Sequence, residues 1–76
     1  MKIQWEPVHR RPGIWLQVNR EYWDRLQEGT VQYGIAHQLD EIGRWCIEVG
    51  CGKRMAFDSF QFRNKKELSG FLLKWG

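Results

Sequence analysis

The sequence predicts a single α+β domain spanning residues 1–76. Its core would be an antiparallel sheet of about five strands, in the order β-β-α-β-β-β-α, with two helices packed on one face. Three observations carry this reading. Leu68, Phe71, Leu72 and Trp75 fall at i, i+3, i+4 and i+7, the apolar stripe of an amphipathic helix that needs a surface to cover. Ile3 and Trp5, then Ile14, Leu16 and Val18, alternate with other residues on either side of Pro12-Gly13, the pattern of a hairpin. From Thr30 to Phe57 a period of two recurs, broken by two turn signals.

The first hairpin occupies residues 2–18. Pro12 presets the first φ of a type II turn and Gly13 accepts the positive one, which leaves His9, Arg10 and Arg11 at an exposed tip. That tip is either a solvated turn or a contact loop for phosphate or an acidic protein surface. Asn19 then caps a short helix, Arg20 to Glu28, closed by Gly29. Tyr22, Trp23 and Leu26 form its inner side, with Glu21–Arg25 and Arg20–Asp24 paired at i, i+4 outside.

Val31, Tyr33 and Ile35 face one way, Asp40-Glu41-Ile42-Gly43 supplies a turn, and Trp45, Ile47 and Val49 face the same way again. A helix through Ile35, Leu39 and Ile42 competes with these strands, because short apolar segments satisfy either period. Gly50-Cys51-Gly52 turns the chain into a third strand with Met55 and Phe57, and Phe60 and Phe62 lie just beyond it. Asn64 and Glu67 give the spacing of a capping box at the start of the last helix. The stripe of that helix is expected to meet Trp45, Ile47, Val49, Met55 and Phe57.

Composition bounds the function. A chain of 76 residues buries only ~60% of its unfolded surface, so its five Trp, four Phe and two Tyr are an efficient way to fill a small core. Twelve Lys and Arg against nine Asp and Glu leave a net charge of +3, which permits an acidic partner and falls short of a dense basic footprint. No segment approaches the ~20 apolar residues of a membrane span, and the N-terminus carries no signal-like apolar run. A cytoplasmic protein without a membrane partner is the expectation. Cys46 and Cys51 lie ~16 Å apart in an extended chain, beyond disulfide reach unless the chain reverses sharply between them, so both are expected as free thiols with Cys46 buried.

Enzymatic chemistry finds little support. His37, Asp40 and Glu41 could act as acid or base, yet no nucleophile is spaced to use them, so no catalytic residue is assigned. His9, His37, Cys46 and Cys51 lack the close pairs of a zinc site, and neither a metal nor a cofactor is implied. The basic residues say more. Lys53 and Arg54, with Arg63, Lys65 and Lys66, are expected to converge at one end of the sheet, where Ser59 or Gln61 could add hydrogen bonds to nucleic-acid phosphates. The alternative is a plain polar helix face. Trp15, on the opposite strand face from Ile14, Leu16 and Val18, is either exposed as an anchor for a partner or packed on long side chains of the open sheet face.

Residues 20–75, read as helix, three strands and helix with Asn64-Lys65-Lys66-Glu67-Leu68 opening the second helix, resemble double-stranded-RNA-binding domains in their order of elements. That resemblance implies Lys65 and Lys66 facing phosphate across an RNA groove. The Pro- and His-containing loop of such domains is absent here. Size and composition instead favour a small non-enzymatic protein binding stoichiometrically to a macromolecular partner through Arg10, Arg11, Trp15, Lys53, Arg54, Arg63, Lys65 and Lys66. By analogy, a phage-type inhibitor of a host nucleic-acid-handling or defence complex has this build. The alternatives are direct RNA or DNA binding, and a small His37-dependent enzyme or toxin. Homodimerisation through an open sheet edge stays open.

Overall fold

A computed structural model of the chain describes residues 3–9, 11–25 and 31–76, and of residues 31–33 the backbone alone. The elements are β1 (Trp5–Pro7), β2 (Ile14–Val18), α1 (Arg20–Arg25), α2 (Val31–Val49), β3 (Lys53–Ala56), β4 (Ser59–Phe62) and α3 (Lys65–Trp75). The four strands form one antiparallel sheet in the order β1-β2-β4-β3. The α+β class holds, with four strands and three helices in the described residues rather than five strands and two helices.

The difference lies in residues 30–49, expected as two strands with a helix through Ile35, Leu39 and Ile42 as the competing reading; from Val31 on the helix forms, and it runs 19 residues. Ile35, Leu39, Ile42 and Cys46 recur at helical spacing and are all buried, whereas Ile47 and Val49, which the strand alternation would have turned inward, are exposed. A helical stripe lets this one segment cover the sheet with four side chains from a single face. The helix–strand–strand–strand–helix order behind the double-stranded-RNA-binding resemblance is therefore not present. Likewise, Ile47, Val49, Met55 and Phe57 do not meet the last helix as an apolar row; all four are exposed.

The hairpin forms as expected. Trp5 pairs with Val18 and Pro7 with Leu16, and Gly13 takes the positive φ (100°) of the turn. In the next pairing Leu16 faces Phe60 and Ile14 faces Phe62, so the inner sheet face is lined by apolar side chains from both strands. Phe60 and Phe62 thus belong to a strand of their own and to the core, rather than trailing beyond the third strand. The core closes on Phe71 of α3, which is 0% exposed and is met by the rings of Phe62 (centroids 5.0 Å), Trp5 (5.2 Å), Phe60 (5.4 Å) and Trp45 (6.2 Å). All but the tilted Phe60 pair are edge-on, and such contacts add roughly 0.5–1.5 kcal/mol each beyond burial. The stripe is completed by half-buried Leu68 and Trp75, and the Trp5 indole donates to the Trp75 carbonyl at 3.1 Å. Leu72 stays at the rim.

Local signals account for the helix ends. Asn19 Oδ1 accepts the Tyr22 N–H at 3.0 Å and so caps α1; Leu26, Glu28 and Gly29, expected to finish that helix, lie outside the described residues. The expected Glu21–Arg25 and Arg20–Asp24 ion pairs are not formed, and Arg25 donates to the Glu21 carbonyl instead. Gly50, at φ 71°, ends α2, and its N–H and that of Cys51 both donate to the Cys46 carbonyl. Cys46 and Cys51 are free thiols. Burial first, then the neighbouring Cys51 and Glu67, push the Cys46 thiol up to about 11.

Both sheet edges are blunted. β1 is three residues long and contains Pro7, while β3 carries Lys53 and an irregularity between Arg54 and Ala56. Short strands, proline, lysine and bulges all discourage edge-to-edge pairing, which weighs against a homodimer built on an open edge.

Candidate docking edge between the second helix and the third strand

α2 and β3 run side by side at one edge of the molecule, and what lies between them is set by a glycine. Gly43 is buried in α2, and a methyl group on it would sit 3.1 Å from Arg54 Cδ. The missing side chain lets Arg54 lie flat against the helix and reach Asp40 at 2.9 Å. Arg54 also donates through Nε and Nη2 to the Phe57 carbonyl, at 3.2 and 2.7 Å, and its guanidinium rests 5.4 Å from the Phe57 ring. Arg54 is thereby a staple fixing the β3–β4 turn onto α2. In sequence, Gly43 reads as a turn residue; only the helical frame shows it as the seat for Arg54.

Arg63 has a comparable role at the other end of the strands. Its guanidinium donates to Glu67 Oε2 through Nε (2.9 Å) and Nη2 (2.6 Å), and its backbone N–H donates to Glu67 Oε1 at 2.8 Å. Asn64 Oδ1 accepts the Glu67 N–H at 2.9 Å, so the expected cap forms, with the Glu67 side chain turned to the residue before the cap. Arg63's hydrogen bonds first, its charge also, hold the Glu67 carboxyl below the usual carboxylate range. Nη2 of Arg63 reaches the Gly50 carbonyl at 3.3 Å and ties α3's start to α2's end.

The five basic residues expected to converge therefore divide. Arg54 and Arg63 are engaged in ion pairs that build the fold. Lys53, Lys65 and Lys66 are exposed and carry no ion pair among the described residues. Arg44 of α2, which the sequence did not single out, joins them as an exposed cation without an ion pair there. Its signal lay in the helical frame, which places it three residues before Ile47 on the same side of α2. Between Arg44 and Lys53 runs a groove of about 730 Å³, whose lining also includes His37, Asp40 and Ile47. A second groove of about 550 Å³, floored by Cys46 and Phe62, continues toward Arg63 and Glu67. The two share Ile47, Gly52 and Lys53, and Ile47 is 83% exposed between them. Gly52, at φ 83°, has no room for a side chain, since a methyl group there would lie 2.7 Å from the Phe62 ring.

The hairpin end differs. The Trp15 side chain is on the face away from the core, yet it is only 8% exposed. Its indole donates to the Pro12 carbonyl at 3.0 Å, and the Arg11 guanidinium sits 5.0 Å from its ring. Trp15 is thus packed against its own loop rather than held out. Arg10 lies outside the described residues. His37 is exposed on α2, and among the described residues no group of three or more His, Cys, Asp or Glu is arranged to hold a metal. No helix among them is long and apolar enough to cross a membrane.

No family model, curated protein or solved structure matches this chain.

Proposed function

We propose that this chain is a small non-enzymatic binding protein that docks stoichiometrically on a macromolecular partner through the α2–β3 edge. The observation that carries this reading is Ile47, an exposed apolar side chain shared by two grooves and flanked by Arg44 and Lys53. An apolar centre with a charged rim is the build of a protein-binding surface. Beside it Arg54 ties the β3–β4 turn to α2, which limits the backbone ordering that binding requires. An acidic surface of a nucleic-acid-handling or defence complex, blocked by a phage-type inhibitor, is the partner that size and charge suggest.

The test is capture of the partner from cells of origin with the wild-type chain and with Arg44→Glu/Lys53→Glu. A complex of fixed stoichiometry is expected with the wild type and is lost with the double variant, while thermal unfolding stays unchanged. Capture that is absent, or indifferent to the double variant, would count against the proposal.

Direct contact with RNA or DNA is the second reading, favoured by Lys53, Lys65 and Lys66 having no ion pair among the described residues. It requires affinity that falls steeply with salt and collapses in Lys65→Glu/Lys66→Glu. A flat titration with both duplex and single strands at low salt would remove it.

A further inference from the structure

We infer that the groove between α2 and β3 receives an acidic protein segment carrying one apolar anchor side chain, a deepening that rests on the docking reading above. Charge selects the sign of the occupant. Among the described residues the groove's one carboxylate, Asp40, is occupied by Arg54, so the charges these residues leave to a ligand are those of Arg44 and Lys53. Both are exposed, and both stand beside Ile47 along the groove.

Chemistry then distinguishes a protein segment from a nucleic-acid strand. Single strands are held by bases stacked on aromatic rings, with cations tracking the backbone. Among the described residues neither of the two grooves around Ile47 offers an exposed ring: no aromatic residue among them lines the first, and Phe62 in the second is buried. The nearby exposed ring, Phe57, already has Arg54 over its face and Trp23 at 5.9 Å against its edge. An exposed isoleucine at the centre offers nothing to a phosphate chain, but it matches a leucine or phenylalanine with a carboxylate on either side. The blunted β3 edge further indicates that the segment lies in the groove by side-chain contacts and does not add a strand to the sheet.

Fluorescence anisotropy on the full chain tests this with a short labelled peptide of alternating Glu and Leu. Lys–Leu and Glu–Ser peptides of equal length, a single-stranded oligonucleotide and an RNA duplex serve as comparators. The Glu–Leu peptide is expected to bind most tightly and to weaken with salt. Ile47→Asp and Lys53→Glu should each reduce its affinity by about 10-fold or more, the loss of one central contact. Tighter binding of either oligonucleotide, equal binding of the Glu–Ser peptide, no binding at low salt, or indifference to both variants would overturn the inference. Should the peptide fail while Arg44→Glu/Lys53→Glu still abolishes partner capture, the acidic segment is wrong and the docking edge stands. Circular dichroism of each variant confirms that the fold is kept.

Discussion

The hairpin loop and the α2–β3 edge carry similar chemistry, each with basic residues beside a large apolar side chain, yet they present it differently. At the hairpin, the Trp15 indole N–H donates to the Pro12 carbonyl and its ring lies against Arg11, so these two side chains are taken up within the loop itself. At the edge, Arg54 and Arg63 are engaged by Asp40 and Glu67, but among the described residues Ile47, Lys53 and Arg44 are left over. Composition does not separate these two cases. What separates them is whether a short-range partner lies within reach of each side chain.

This contrast can be broken at several points. Trp15→Ala should cost about 3 kcal/mol in chemical denaturation, the low end for removing a large buried ring, without altering partner capture. An unchanged midpoint would mean that the ring is not integral to the hairpin. Gly52→Ala should cost about 1–3 kcal/mol, because the new side chain meets both a positive φ and the Phe62 ring. The same denaturation series reads that loss. At the other extreme, Ile47→Ala should shift stability by no more than about 0.5 kcal/mol, as for an ordinary surface site. Gly34→Ala, where a methyl group would meet no atom of the described residues within 4 Å, should raise stability by about 0.5–1 kcal/mol through helix propensity.

Cys46 gives a prediction in pH. Its thiol is about 11 in the fold against 9.0 unfolded, so above pH 9 the unfolded chain loses a proton that the folded chain keeps. Stability should fall as pH rises from about 9 to 11 and level off beyond it. Cys46→Val should flatten that decline in denaturation midpoints measured across the range. An identical slope in both proteins would exclude Cys46 as its source.

Sequence and structure agree where a local rule has one solution. Pro12-Gly13, the Asn19 and Asn64 caps and the stripe through Phe71 were legible because each is decided within a few residues. Residues 31–49 were not, because Val31, Tyr33, Ile35 and then Trp45, Ile47, Val49 imitate a period of two while Ile35, Leu39, Ile42 and Cys46 keep the helical one. Gly43 strengthened the wrong choice: it reads as a turn glycine, and its real reason is the approach of Arg54, eleven positions further along the chain. The docking edge was half legible. Lys53 was found by its charge, but Arg44 and Ile47 acquire meaning only once α2 is a helix, and the neutralisation of Arg54 by Asp40 depends on that same helix.

The central claim, that binding is concentrated at the α2–β3 edge, is tested most directly by comparing partner capture by two single variants, Ile47→Asp and Arg11→Glu. With both folded to wild-type stability, the account predicts that Ile47→Asp loses the complex and Arg11→Glu retains it. Retention by Ile47→Asp with loss in Arg11→Glu would place the interface at the hairpin and contradict it.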